Sequence, residues 1–407
     1  MVERAGIDLG DPDRYLDPDR FAWWRRHAAA DAVLWSGAGT SPSGFWSVFS
    51  LADCRAVLSP KAPFTSEYGM MIGFDRDHPD KAGGGMLVVA DGPQHSRLRS
   101  VIMPFLSRAM AESLADAVHA EVRRLVADAV AGGGLDVAAT LGPVIPASVV
   151  CRILGVPASD RDMLIELTSH AFGGADDTFD KMSPDAAHSE MILYLADLVA
   201  RRRRQPGDDL ISALAGDHRL HLREVLLNCD NVLVGGNETT RHAIAGCFHA
   251  LAGAPEILAG LRADPGLVGA AVEEVIRWTS PAMHVLRVAT ADVDLPGQRV
   301  ARGEAVVAWL PAANRDPRHF EDADDFRPRR PANHHLGFGH GPHHCLGAAL
   351  ARLELRALLL ALAEHVESVT VLDEPTPLRS NLVHGYRNLR VRLEPVHHAQ
   401  STRKALS

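Results

Sequence analysis

The sequence predicts a mainly α-helical fold with two small β regions, and three observations carry that expectation. Apolar residues recur at helical spacing over long stretches, strand-type runs are confined to two places, and glycine or proline clusters follow the helical stretches. In order, Gly44 to Phe49 reads as a strand leading into a helix capped by Ser50. A helix starts near Pro93, since proline suits a first turn. From Ala111 to Val130 the residues Leu114, Val118, Val122, Leu125 and Val126 share one helix face, and the glycines 132–134 stop it. Arg201 to Arg204 closes another helix before Gln205-Pro206-Gly207, where cations complement the dipole. A long helix runs from about Leu222 to Leu251 and ends near Pro255. Leu286 to Leu295 and Arg299 to Leu310 read as strands around Pro296-Gly297, and a last helix follows Gly347 to about Glu364.

One domain is expected over residues 1–395, with 396–407 a disordered tail. Two segments read as mobile cover over a ligand entrance: Lys61 to Gly85, rich in Met, Gly and aromatics, and Thr168 to Pro184, with a similar mixture.

The chain has 407 residues, of which 46% are hydrophobic and 23% charged, an ordinary globular composition. A formal net charge of −9 argues against non-specific nucleic-acid binding. The first residues carry charges throughout with no apolar core, and the most apolar late stretch, Ala357 to Ala363, is too short to span a bilayer. A soluble, cytoplasmic protein with no membrane partner is the expectation. The five cysteines lie far apart without a C-x-x-C, so a disulfide framework is not expected; four of them suit small buried hydrophobes.

The fifth, Cys345, stands in His335-Leu336-Gly337-Phe338-Gly339-His340-Gly341-Pro342-His343-His344-Cys345-Leu346-Gly347. A glycine-rich loop brings backbone close to something bulky, presents one cysteine and runs into a helix whose first amides stabilise a thiolate. The rival is zinc, because His334, His335, His340, His343 and His344 crowd the same stretch; zinc sites usually draw on two separated ligand pairs, and no second cluster is present. Three further motifs precede the loop. Glu274 and Arg277 are spaced i, i+3 and can pair on one helix face. Gly235-Gly236-Asn237-Glu238-Thr239-Thr240 places poor helix formers inside the long helix, consistent with a local opening of its hydrogen-bond ladder. His95 and Arg99 project together from the helix near Pro93, while Arg97 reads as a solvated charge.

Phe338-Gly339-x-Gly341-x-His343-x-Cys345-x-Gly347 resembles the cysteine-loop signature of cytochromes P450, and the other motifs stand in that family's order. The resemblance spans nearly the whole chain, from the Asp17-Pro18 region to Arg390-Val391, and implies the P450 fold around one haem b. It implies Cys345 as the iron ligand and Phe338, Gly339 and Gly347 as its loop. It also implies Glu274 and Arg277 as a structural pair, locked to the segment from Asn314 to Pro328. His95, Arg99, Arg287 and His343 become partners of the haem propionates. Gly235 and Gly236 line an oxygen groove, where Glu238 and Thr239 form an acid–alcohol pair that manages protons.

The implied activity is insertion of one oxygen atom from O2 into a small, mostly apolar substrate, by hydroxylation or epoxidation, in tailoring a bacterial secondary metabolite. Electrons would come from NAD(P)H through a ferredoxin and its reductase, with Arg352 a docking cation on the cysteine-loop face. Oxidative coupling, a substrate tethered to a carrier protein, and peroxide-driven turnover are the alternatives. A non-enzymatic haem sensor is a further rival, against which Glu238-Thr239 argues. The family pattern draws the pocket from Met70, Met86, Phe172, Val232, Met283, His284, Val285 and Leu382, with His284 and His384 as polar handles.

Overall fold

The computed structural model describes residues 7–172, 181–252 and 254–396. Its helices are α1 (Arg20–Ala29), α2 (Leu51–Val57), α3 (Gly92–Ile102), α4 (Arg108–Ala131), α5 (Leu141–Leu154), α6 (Arg161–Phe172), α7 (Pro184–Arg204), α8 (Leu210–Gly216), α9 (Leu222–Ala252), α10 (Pro255–Ala263), α11 (Val268–Thr279), α12 (Leu310–Ala313) and α13 (Ala348–His365). The strands are β1 (Val33–Ser36), β2 (Phe45–Val48), β3 (Phe64–Thr65), β4 (Leu135–Asp136), β5 (His284–Ala289), β6 (Val293–Leu295), β7 (Gln298–Val300), β8 (Ala305–Trp309), β9 (Val366–Val371), β10 (Thr376–Pro377), β11 (Tyr386–Asn388) and β12 (Arg390–Pro395).

Local chemistry accounts for the helix ends. The Ser50 hydroxyl accepts from the Asp53 amide at the start of α2, and Ser107 accepts from the Met110 amide at the start of α4. The four arginines 201–204 form the last turn of α7, where Arg202 pairs with buried Asp209 at 2.6 Å.

The two strands expected between 286 and 310 are four. The chain bends after Ala289, so β5 and β6 belong to different sheets, and Gly303, at φ +84°, turns it again before β8. The main sheet has the order β1-β2-β8-β5-β3, with β2 and β8 parallel through Trp46↔Val306. Strand β8 is buried at every position, which is why its residues are Ala, Val, Val, Ala and Trp without alternation. β6 and β7 form a separate hairpin around Gly297, and β4-β12-β9 form a third sheet.

Helix α9 runs through the largest apolar core and packs most extensively against α5. Among the described residues no single helix is long and apolar enough to cross a membrane. Of the expected second cover segment, residues 173–180 lie outside the described residues, as do 397–407 of the expected tail.

Candidate active site

The cysteine loop is folded by its own backbone. The Cys345 amide donates to Phe338 O at 2.9 Å, and the Gly339 amide donates to Leu336 O at 2.8 Å. Gly339 and Gly341 both take positive φ, at +71° and +72°. A Cβ on Gly341 would lie 2.3 Å from Leu58 O, and one on Gly337 would lie 2.5 Å from Ile276 Cγ2, so both glycines are required by close approach. The Cys345 side chain is surrounded by protein yet exposed to an internal cavity. Burial raises its thiol pKa, opposed by the Gly347 and Ala348 amides and by the charges of Arg352 and Arg99.

The crowded histidines point to different partners. His335 Nε2 lies 3.3 Å from Glu273, while His343 Nε2 lies 3.0 Å from Asp91. No group of three or more His, Cys, Asp or Glu suited to a metal ion is found among the described residues.

Beneath the loop, Glu274 and Arg277 are both fully buried. Arg277 donates through Nε and Nη2 to the two oxygens of Glu274 at 2.8 and 2.7 Å. Its Nη1 serves Asn314 O and Ala323 O at 2.9 and 2.7 Å, and Nη2 also serves Asp325 O at 3.0 Å. All five guanidinium N–H groups are thereby used. Burial opposes ionisation of Glu274, but hydrogen bonds and charge from Arg277, joined by Arg330 and the Arg327 amide, hold its carboxyl below the ordinary range. Arg330 and Asn333, which donate to Glu274 at 3.2 and 3.0 Å, were not legible in the sequence as members of this cluster.

On α9 the small-residue segment stays helical, with no break in the assigned helix, and the Thr239 hydroxyl donates to Gly235 O at 3.3 Å. The two glycines differ in role. A Cβ on Gly235 would meet nothing within 4 Å, because this residue opens onto the cavity. A Cβ on Gly236 would come within 2.9 Å of Val150 Cγ2, so Gly236 also lets α5 approach α9. Gly236→Ala is therefore expected to destabilise the protein by about 1–3 kcal/mol through overpacking. Gly235→Ala should leave thermal stability unchanged or slightly raised. Thermal denaturation of both variants checks the contrast.

Thr239 lines the cavity, but adjacent Glu238 is 3% exposed and turns toward α6. Its carboxylate lies 3.5 Å from Asn237 Nδ2 and 3.7 Å from Arg241 Nη1. Asn237 in turn donates to Thr168 Oγ1 at 2.7 Å, and Arg241 to Ser169 Oγ at 2.6 Å. Burial raises the Glu238 pKa, with Arg241 opposing.

His95, Arg99 and His343 also line the cavity, and Arg287 lies with His95 and His343 around an adjoining pocket. His95 and Arg287 are buried, and His95 Nε2 has no hydrogen-bond partner among the described residues. Burial lowers the His95 pKa to about 4, aided by His343 and Arg99. Burial also lowers Arg287 to about 10. An unpartnered buried imidazole nitrogen beside two guanidinium groups fits the carboxylate edge of a haem whose iron faces Cys345. His343 is engaged otherwise, since its Nε2 meets Asp91, and Asp91 also accepts from Thr65, Ser66 Oγ and the Ser66 amide. Arg97 is not a solvated charge: it donates to Glu224 and to Arg219 O. Arg352 is likewise engaged, bidentate to Glu273 at 2.7 and 2.9 Å with its guanidinium over the Phe338 ring.

Of the pocket residues expected from sequence, Met70, Val232 and Val285 line the cavity together with Leu87, Val88 and Ala282. Met86, Phe172, Met283, His284 and Leu382 do not. Met283 packs in the core with Trp309 and Leu286, and Leu382 receives the Met283 amide on its carbonyl at 2.9 Å. His284 accepts from the Ile72 amide at 3.0 Å on Nε2, and its Nδ1 meets Asn381 O at 2.9 Å, so it cannot serve as a handle. His384 is buried against Phe21, with Nδ1 on Thr279 O. Sequence reasoning also missed Glu354, a buried acid on the cavity wall whose pKa burial raises to about 8.

Comparison with known proteins agrees with this geometry. The family model described as cytochrome P450 matches residues 184–382. Cytochrome P450 NovI of Streptomyces niveus is 33% identical over 398 residues, covering 96% of this chain and 97% of that protein. The crystal structure of P450 OxyD, involved in the biosynthesis of vancomycin-type antibiotics, superposes with a TM-score of 0.92 at 57% identity, covering 96% of this chain and all of that one. P450BioI, solved with an acyl carrier protein ligated to hexadec-9Z-enoic acid, gives a TM-score of 0.82 at 27% identity, over 94% of this chain and 100% of that one. With a cysteine facing a cavity lined also by His95 and Arg99, and a fully buried Glu274–Arg277 pair, the chain belongs to the cytochrome P450 family and is a haem-thiolate monooxygenase.

Proposed function

We propose that this enzyme inserts one oxygen atom from O2 into a small, mostly apolar molecule during bacterial secondary metabolism, by hydroxylation or epoxidation. The carrying observation is the cavity that Cys345 faces, whose apolar lining includes Met70, Leu87, Val88, Val232, Ala282 and Val285. Bound haem supplies the iron at which O2 is reduced and activated, with Cys345 as thiolate donor.

The residues of the chain manage the rest. His95, Arg99 and Arg287 orient the haem edge, and the apolar wall excludes water from the reacting face. Thr239 holds a hydroxyl at the cavity surface beside Gly235, as a proton donor and acceptor. Glu238, buried and with a raised pKa, is the acid behind it, and protons reach Thr239 when this carboxyl turns from the α6 cluster toward the cavity. Electrons come from NAD(P)H through a ferredoxin and its reductase, docking on the cysteine-loop face. A carrier-tethered substrate is a second reading, favoured by the similarity to P450BioI.

The test is turnover of candidate metabolites, free and carrier-linked, under labelled O2 with a ferredoxin, its reductase and NADPH. The expected product carries one labelled oxygen atom. In Thr239→Ala, product formed per NADPH consumed should fall by about tenfold or more. Label drawn from water, or turnover with hydrogen peroxide and none with the electron-transfer pair, would contradict the proposal.

A further inference from the structure

Three asparagines stand on α9, and their side chains have different fates. Asn228 is fully committed: its Nδ2 donates to Gly85 O and Glu224 O at 2.9 and 2.7 Å, and its Oδ1 accepts from the Leu87 amide at 2.9 Å. Asn237 donates to Thr168 within the α6 cluster. Asn231 is different, since its carboxamide makes no hydrogen bond among the described residues and lines the cavity. It precedes Gly235 and Thr239 by successive steps of four residues, and these three share the cavity side of α9. At 1.5 Å per residue, Asn231 lies about 12 Å along the helix from Thr239.

The cavity lining is largely apolar here: Val232 follows Asn231 on α9, and Leu87 and Val88 come from the turn whose Leu87 amide donates to Asn228, while Met70 and Val285 line the cavity elsewhere. Among the described residues, the titratable groups lining the cavity belong to other elements: His95 and Arg99 on α3, His343, His344 and Cys345 in the cysteine loop, and Glu354 on α13. Its neighbour Asp230 is buried and lies 3.5 Å from His188 of α7, away from the cavity lining. When a substrate displaces water from this wall, a carboxamide left without a partner is destabilising, so the site favours a ligand that supplies both an acceptor and a donor. A neutral amide does so, whereas a charged group would find no counter-ion in Val232, Leu87 and Val88, the apolar residues described next to this part of α9.

We infer that Asn231 is a specificity-determining residue, and that its carboxamide pairs with a neutral amide of the substrate, remote from the carbon that is oxidised. The inference rests on the monooxygenase reading above and adds the substrate class: a largely apolar body carrying an amide about two helical turns of α9 from the oxygen site.

Imidazoles that ligate the haem iron, bearing alkyl chains of graded length, measure this directly. One series ends in a primary amide and its twin in a methyl group of matched size. Each is titrated into haem-loaded wild type and Asn231→Leu, with Asn231→Ala as a second variant, and read by the Soret shift. Over one range of chain length, the amide probes should bind wild type about 5–10-fold more tightly than either variant. The methyl-ended probes should bind Asn231→Leu as tightly as wild type or more so. Equal affinity of wild type and both variants for the amide probes at every length would overturn the inference while leaving the monooxygenase reading in place. Absence of any Soret shift, even with imidazole itself, would overturn both.

Discussion

Replacing Arg277 by lysine is expected to lower the stability of the protein by about 3–5 kcal/mol, because the substitution leaves a buried carboxylate short of its partners. Lysine keeps the charge but offers one ammonium where the guanidinium serves Glu274, Asn314 O, Ala323 O and Asp325 O from one plane. Arg330 and Asn333 still reach Glu274, so the carboxylate is not wholly orphaned, yet the Asn314 and Ala323 carbonyls lose their donor and Asp325 O keeps only Arg330. The Asn314 side chain accepts the Leu336 amide at the start of that loop, so the effect should extend to haem retention. With about 2.1 cal/mol/K of unfolding entropy per residue, the thermal midpoint should fall by roughly 4–6 °C. Calorimetry of wild type and variant measures it, and a shift within experimental scatter would show that the lock carries little energy.

Replacing Cys345 by serine should do the reverse, leaving the fold and abolishing the chemistry. The cysteine is held by its backbone, through the Phe338 carbonyl, and its side chain faces the cavity, so stability should change by less than about 1 kcal/mol. Serine offers a hydroxyl with little anionic character at neutral pH and cannot supply the electron donation of a thiolate. Turnover with ferredoxin and reductase should fall below detection even in samples that retain haem. Preserved turnover in Cys345→Ser would remove the assignment of the iron ligand.

How much of this was legible in the sequence followed from how local each feature is. The cysteine loop is a continuous run whose glycines answer to local turns and to contacts with Leu58 and Ile276, and it could be read directly. Glu274 and Arg277 are one helical turn apart, but Arg330 and Asn333 join them from a segment more than fifty residues on, where nothing local marks them. The long helix was legible from periodicity, whereas the separate fates of Gly235 and Gly236 depend on where α5 lies. His284 looked like a polar handle because histidine in an apolar strand invites that reading; tertiary placement instead sets it between the Ile72 amide and Asn381 O. Asn228, Asn231 and Asn237 are chemically identical in sequence and are told apart only by what packs against each face of α9. The extra breaks in the strands between 286 and 310 arise from a sheet change after Ala289 that no local residue pattern announced.

The measurement that tests the central claim most directly is the visible spectrum of the purified, haem-loaded protein, reduced and then exposed to carbon monoxide. Ligation by Cys345 predicts the long-wavelength Soret band of a thiolate-bound ferrous carbonyl, and its absence from Cys345→Ser. A band at the shorter wavelength of a histidine-ligated haem, in freshly prepared wild type, would contradict the account, because His340, His343 or His344 would then hold the iron.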